Sequence, residues 1–142
     1  MEKIYIPEGE TPCPSQIGAT LEALAGTIEN RRTAGPESYT NRLLTGKLDD
    51  VLKKVMEESG EVALGAKDTF YAQASGDEAE ADAQVDHLRY EAADVVYHLL
   101  VVLARFNISL DEFAAELNAR MRADERPVGG VCLKQDHIKR GK

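Results

Sequence analysis

Four acidic side chains are spaced as though they could act together. Glu58 and Glu61 are three residues apart, and so are Glu91 and Asp94. On a helix, residues at i and i+3 are neighbours, so each pair sets two carboxylates side by side. Clustered carboxylates repel one another unless a cation lies between them. Two such pairs facing each other from two helices would form a cage of hard oxygen ligands, which suits Mg²⁺ or Mn²⁺ rather than a soft metal. A di-iron bundle would instead use Glu-x-x-His on these helices. Here the third residues after Glu58 and Glu91 are Glu61 and Asp94.

The surroundings decide between a cage and an ordinary charged surface. Lys54, Glu57, Glu58 and Glu61 fall on one side of a helix, spread over about 100° at its usual turn per residue. That alone is compatible with a solvated face. The second helix weighs against this reading. Over 87–105 it is apolar nearly all round, with Leu88, Val95, Val96, Tyr97 and Leu99 through Leu103. A helix of that kind is expected to be buried on most sides. Its polar residues His87, Glu91, Asp94, His98 and Arg105 nevertheless align in one ridge about 60° wide. A carboxylate on a buried ridge is costly unless paired or metal-bound. The alternative to a metal is a buried salt bridge, with Lys54 or Arg105 as partner. His98 by itself reads as a satisfied core histidine or a group behind the ligands rather than a ligand, and Glu57 has a similar supporting place.

The elements that must position these residues follow from periodicity and punctuation. Pro7, Pro12 and Pro14 keep residues 1–14 out of a helix, and Ile4-Tyr5-Ile6 suits a short strand or an extended arm. Ser15 is an N-cap for a helix whose apolar residues Ile17, Leu21, Leu24, Ala25 and Ile28 recur at helical spacing to about Arg32. Thr33 to Pro36 is a break, followed by a short helical turn through Leu44. A longer helix starts near Lys47, with a stripe of Leu48, Val51, Leu52, Val55, Ser59, Val62, Ala63 and Ala66 over about five turns. Residues 68–86 are acidic and poor in large apolar residues, and read as a solvated connection. After the helix at 87–105, Asn107 suits a helix end and Ser109 caps a last helix over 110–122. The division expected is an arm (1–14), an all-α domain (15–122) and a flexible tail (123–142). The fold expected is a bundle of four to five helices, completed by dimerisation, because one chain has too few helices to cover 87–105.

Composition narrows the function. The chain has 142 residues, room for one domain, with 43% hydrophobic and 30% charged residues, a globular balance. The net charge of −8 makes a nucleic-acid partner unfavourable. Cys13 and Cys132 form no zinc-ligand pattern. Residues 1–16 lack a basic-then-apolar signal pattern, and no run approaches the roughly 18 apolar residues of a membrane span. The expectation is a cytoplasmic protein without a membrane partner.

The Glu-x-x-Glu and Glu-x-x-Asp pair resembles the signature of the all-α, MazG-like nucleotide pyrophosphohydrolases. A longer likeness is more specific. Residues 37–67, from Glu-Ser-Tyr-Thr-Asn-Arg-Leu-Leu through Lys-Lys-Val-Met-Glu-Glu-Ser-Gly-Glu-Val-Ala-Leu-Gly-Ala-Lys, resemble the phosphoribosyl-ATP pyrophosphatase family. So do residues 91–104, Glu-Ala-Ala-Asp-Val-Val-Tyr-His-Leu-Leu-Val-Val-Leu-Ala. The likeness runs from about Leu21 to Met121. It departs at Met56, where the family usually has Gly, and in a longer connection around 70–86. The resemblance implies a homodimer that hydrolyses N1-(5-phosphoribosyl)-ATP to N1-(5-phosphoribosyl)-AMP and pyrophosphate in histidine biosynthesis. It implies that Glu58, Glu61, Glu91 and Asp94 hold Mg²⁺ or Mn²⁺ and carry the catalysis. Ser38, Tyr39, Thr40 and Arg42 would line the substrate site, with Lys54 reaching phosphate from the same face. Another nucleoside triphosphate pyrophosphohydrolase of the superfamily is the near alternative, and a non-enzymatic helical adaptor is the alternative of another class.

Overall fold

Side chains that accept the first free backbone N–H groups start four of the helices. Ser15 Oγ accepts from the Gly18 amide at 3.1 Å and opens α1, Gln16–Asn30. A single 3-10 turn, Arg31–Thr33, follows. Ser38 Oγ accepts from the Asn41 amide at 3.3 Å and opens α2, Tyr39–Thr45. The long helix α3, Leu48–Ser75, has no side-chain cap but carries Asp49 and Asp50 in its first turn, where acids favour the helix dipole. Asp77 caps α4, Glu78–Arg105, by accepting from the Glu80 amide at 3.1 Å. Ser109 and Glu112 make a reciprocal capping box at the start of α5, Leu110–Arg120. The computed structural model describes residues 3–134, and among these there is no strand: the class is all-α.

The core sits where α1, α2 and the starts and ends of the two long helices converge. It consists of Ile28, Leu43, Leu44, Val51, Leu100 and Val101. Polar ties close the loops around it. Asn41 Nδ2 donates to the carbonyls of Arg31 (3.0 Å) and Arg32 (2.9 Å), fixing the 3-10 turn on α2. Arg105 Nη1 and Nη2 donate to the carbonyls of Leu43 and Gly46, both at 2.7 Å, satisfying the end of α2. Arg105 is therefore spent on backbone and is not the partner of a buried carboxylate. Arg32 Nη2 does the same for the Ala104 carbonyl at 2.8 Å, near the end of α4.

Residues 68–86 depart from the expected solvated connection. They form the last part of α3 and the first part of α4, joined by a two-residue turn at Gly76 and Asp77. Small side chains make this possible, because they let two helices approach without a layer of large apolar groups. Thr69 and Ala72 are buried there, and Thr69 Oγ1 lies 2.8 Å from the Gly65 carbonyl and 3.1 Å from that of Gln84. Gly76 takes φ 81°, the left-handed conformation that ends a helix and that a Cβ would disfavour. The acids of this segment face water.

The covered faces of the long helices also differ from expectation. In α3 the buried positions are Val51, Glu58, Gly65, Thr69 and Ala72, while Leu52, Met56, Ala63, Leu64 and Ala66 are exposed. In α4 the buried residues are Glu91, His98, Leu100 and Val101, and Tyr90 and Val96 are exposed. Within one chain, α4 is covered all round over 97–105, where every residue is buried or half-buried, whereas Arg89, Tyr90, Ala92, Ala93 and Val96 nearer its middle are exposed.

The arm is extended without strand pairing, and Lys3 Nζ lies 3.5 Å from Asp82 and 3.3 Å from Asp86 on α4. Beyond α5 the chain makes turns. Arg126 Nε donates to the Asn118 carbonyl at 2.7 Å, and Asn118 Nδ2 donates to the Val131 carbonyl at 2.6 Å. Of the arm and tail expected from sequence, residues 1–2 and 135–142 lie outside the described residues.

Asp77→Ala removes the cap of α4 and is expected to lower unfolding free energy in urea by about 1 kcal/mol. No change in the urea midpoint would return this segment to a solvated connection.

Candidate metal-binding active site

The site is made by two helices meeting along a seam. Buried positions 51, 58, 65 and 72 of α3 recur every seven residues, and so do Glu91 and His98 of α4. Seven-residue spacing keeps one edge of a helix against its partner. Glu58 and Glu91 occupy seam positions that would ordinarily hold apolar side chains, and each is only 6% exposed. Glu58, Glu61 and Glu91 each offer an oxygen, and these oxygens lie within 4.8 Å of one another. Glu61 stands at the exposed rim. Asp94 is half-buried, one turn beyond Glu91 on α4, and is outside this group of three.

The buried charges are only partly met by the protein. Lys54 Nζ lies 3.5 Å from Glu58 Oε1 and 3.2 Å from Glu57 Oε2, so Lys54 belongs to the cluster on α3. His87 Nε2 lies 3.4 Å from Glu91 Oε1. The other oxygen, Glu91 Oε2, is buried with no hydrogen-bond partner. An orphaned buried oxygen needs an explanation, and a role in holding an ion is one. Hard oxygen donors from three carboxylates are the donor set that a divalent cation such as Mg²⁺ prefers. The residues therefore fit a metal. Glu57 is exposed, and its hydrogen bond with Lys54 holds its carboxyl below the usual carboxylate range, with Lys53 adding to the effect. The same bond raises Lys54 above its ordinary range, keeping it a cation.

The first turn of α2 stands beside this cluster. Tyr39 Oη is 3.1 Å from His98 Nε2, and Thr40 Oγ1 is hydrogen-bonded to Tyr97 Oη. His98 Nδ1 is 2.8 Å from the Asp94 carbonyl, so the ring is satisfied at both nitrogens and is not a metal ligand. Burial pushes the Tyr39 phenol above its ordinary range, with Lys54 opposing and Tyr97 and Glu58 adding to the rise. Ser38 Oγ accepts at the cap but retains its proton for donation. Arg42 is exposed, with Nη1 donating to the carbonyls of Pro36 (2.9 Å) and Glu37 (3.1 Å) and its guanidinium 5.8 Å from the Tyr39 ring centre. It is tied to neither the Glu37 nor the Asp49 carboxylate, and among the described residues its Nε and Nη2 make no hydrogen bond.

Thus the structure brings Glu58, Glu61, Glu91 and Lys54 together, with Tyr39 and His98 linked next to them, while Asp94 and Glu57 flank the group. Tyr97 was not legible as part of this network: between apolar neighbours it reads as core. The signal available was its place next to His98, facing the polar turn of α2. Two concavities lie elsewhere, about 350 Å³ between α1, α4 and the start of α5 and about 570 Å³ beside Lys3 to Ile6. Neither includes a residue of the carboxylate cluster, and that cluster is the better-founded site because it gathers groups able to hold a cation.

The sequence model of the phosphoribosyl-ATP pyrophosphohydrolase family matches residues 21–121. A phosphoribosyl-ATP pyrophosphatase of Lactiplantibacillus plantarum is 41% identical over 101 residues, which cover 70% of this chain and 82% of that protein. One from Dechloromonas aromatica is 34% identical over 101 residues, covering 70% of this chain and 81% of that protein. The histidine biosynthesis bifunctional protein HisIE of Deinococcus radiodurans is 40% identical over 118 residues, covering 82% of this chain; the match spans 48% of that protein, about half its length. No solved structure matches the chain.

Millimolar Mg²⁺ is expected to raise the melting temperature, since an ion bound only by the folded state at 100 times its Kd stabilises it by about 2.7 kcal/mol. Glu91→Gln should lose most of that rise while its metal-free stability does not fall, because a buried charge has been removed. An equal Mg²⁺ shift in both proteins would place the ion elsewhere.

Proposed function

The chain belongs to the phosphoribosyl-ATP pyrophosphohydrolase family, and from that premise we propose that it hydrolyses N1-(5-phosphoribosyl)-ATP to N1-(5-phosphoribosyl)-AMP and pyrophosphate in histidine biosynthesis. The observation that carries this reading is the buried, unpartnered Glu91 Oε2 beside Glu58 and Glu61. An acidic cluster can receive a polyphosphate only through a cation, and a buried carboxylate oxygen lacking a protein partner provides for one.

In this proposal Glu58, Glu61 and Glu91 hold Mg²⁺ or Mn²⁺, with Asp94 as the fourth carboxylate. When bound, a divalent ion neutralises phosphate charge and acidifies water. The protein's own groups do the rest. Water adds to phosphorus as the anhydride between the α- and β-phosphoryl groups breaks, and pyrophosphate leaves. Glu58 and Glu91 are engaged by Lys54 and His87. Glu61 and Asp94 carry no ion pair among the described residues, so one of these two accepts the proton of the attacking water. Lys54 meets a phosphate oxygen from the α3 side. Ser38, Tyr39, Thr40 and Arg42 line the substrate, and the uncommitted edge of the Arg42 guanidinium is suited to a phosphate.

The working unit is proposed to be a homodimer. Met56 and Leu64 on α3 are 75% and 64% exposed, and Tyr90 and Val96 on α4 lie open as well. A second copy would cover this apolar surface, as symmetric pairs do. The protein is proposed to work in the cytoplasm; among the described residues no single helix is long and apolar enough to cross a membrane. The net charge of −8 favours neither nucleic acid nor an acidic membrane as partner.

Pyrophosphate release with Mg²⁺ should be faster from phosphoribosyl-ATP than from common nucleoside triphosphates. Glu61→Gln and Asp94→Asn should each abolish it while circular dichroism stays helical. Preference for a nucleoside triphosphate would favour the superfamily alternative, and no release from any of them would favour a non-enzymatic adaptor.

Arg42→Ala should lower kcat/KM for phosphoribosyl-ATP by roughly ten- to a hundredfold, the worth of a charge-assisted contact of about 1.5–3 kcal/mol, while metal affinity measured by calorimetry stays nearly unchanged. Unchanged kinetics would mean that Arg42 only secures its own loop.

A further inference from the structure

We propose that His98 is a positioning residue for the reaction: through the Tyr39 hydroxyl it fixes the first turn of α2 against the helix that carries Glu91 and Asp94. The inference rests on the proposed function and assigns His98 a task within the same site.

The need for such a residue follows from the length of α2. It spans Tyr39–Thr45, about two turns, and so short a helix does not hold itself together in water. Its far end is anchored. Leu43 and Leu44 are in the core, and Arg105 satisfies the carbonyls of Leu43 and Gly46. Its near end carries the substrate-facing residues, and Tyr39 and Thr40 there bond to His98 and Tyr97 of α4.

His98 is built for this. It is 4% exposed, so the ring has no freedom to turn toward solvent. A carbonyl oxygen only accepts, so Nδ1 carries a proton and donates to the Asp94 carbonyl. In the neutral ring Nε2 is then an acceptor, and the Tyr39 hydroxyl donates to it. The ring is also held edge-on by Tyr97, at 4.9 Å between centres. One side chain thereby spans the backbone of a carboxylate-bearing turn of α4 and the phenol of the substrate turn. If the turn of α2 shifted, Tyr39 and Arg42 would move relative to the carboxylates, and displacements near 1 Å in positioning groups are costly.

The test uses the full chain with four changes: His98→Leu, His98→Gln, Tyr39→Phe, and His98→Leu combined with Tyr39→Phe. Glutamine can still accept from the Tyr39 hydroxyl; leucine cannot. Hydrogen–deuterium exchange read peptide by peptide should show loss of protection in α2 for His98→Leu, with α5 unaffected and partial recovery in His98→Gln. With phosphoribosyl-ATP, His98→Leu should raise KM by about three- to tenfold, the worth of one hydrogen bond, with a smaller change in kcat and Mg²⁺ affinity retained. The double variant should have the KM of Tyr39→Phe alone, because both changes break one link. Unchanged α2 exchange in a folded His98→Leu protein, or KM effects that multiply in the double variant, would overturn the proposal. Should His98→Leu not fold, Tyr39→Phe carries the exchange measurement, and unaltered α2 protection there overturns the proposal equally. If the wild-type chain turns over no phosphoribosyl-ATP, the proposed function fails, while the exchange result still decides whether His98 fixes α2.

Discussion

Glu58 and Glu91 stand on the seam of a helix pair, where water is excluded and a charge must find a partner. An unpaired ion in such a place costs several kcal/mol even after relaxation. The protein supplies Lys54 to one carboxylate and His87 to the other, both at the solvent edge, and leaves Glu91 Oε2 with nothing. A cation between α3 and α4 would meet that oxygen, as the proposed metal site requires. Much of the remaining architecture serves to keep this arrangement in register. The hairpin that joins the two helices extends well past the carboxylates, with Thr69 and Ala72 continuing the contact toward Gly76.

The substrate side depends on the same two helices. α2 lies across their open end and is tied down by groups that make no contact with the carboxylates themselves: Asn41 to the 3-10 turn, Arg105 to the α2 carbonyls, Tyr39 and Thr40 to α4. Two of the polar residues that share the ridge of α4 thus have distinct tasks. Glu91 faces Glu58 and Glu61 across the seam, and Arg105, two heptads further on, closes the end of α2. A hydrophobic core of six buried side chains underlies this junction and binds α1 to it through Ile28. The apolar surface left on α3 and α4, at Leu52, Met56, Leu64, Tyr90 and Val96, is the part of the design that a single chain does not resolve.

Much of this was legible in the amino-acid sequence. Ser15 and Ser109 marked helix starts that the structure uses, and Asn107, with φ 56°, ends α4 where its type suggested. Of the i, i+3 acids, Glu58, Glu61 and Glu91 come together and Asp94 stands outside the group; the reading drew on a ridge of charge along an otherwise apolar helix. Besides Tyr97, two features of the long helices were hidden. The hairpin tip looked like a solvated loop because its helix contact is made by Gly65, Thr69 and Ala72, whose small size removes the apolar periodicity on which a sequence reading relies. Gly76-Asp77 between alanine-rich runs was the legible sign, a C-terminal stop followed at once by an N-cap. The covered face of α3 was also misjudged. Leu52, Ala63 and Ala66 follow helical spacing, yet they lie outside the intrachain seam, which carries Glu58 and Gly65 instead. A single periodic stripe does not distinguish a face turned toward the chain's own core from one turned away from it.

The proposed chemistry depends on whether Glu91 Oε2 shares a divalent ion with Glu58 and Glu61. Anomalous scattering from crystals grown with Mn²⁺ tests this directly, since manganese takes oxygen ligands like magnesium and can be located by its own signal. An anomalous peak is expected on the α3–α4 seam, with Glu91 Oε2 and oxygens of Glu58 and Glu61 at roughly 2.0–2.3 Å from it. A peak away from these three side chains, or none at millimolar Mn²⁺ with Glu91 Oε2 hydrogen-bonded to protein or water, would contradict it.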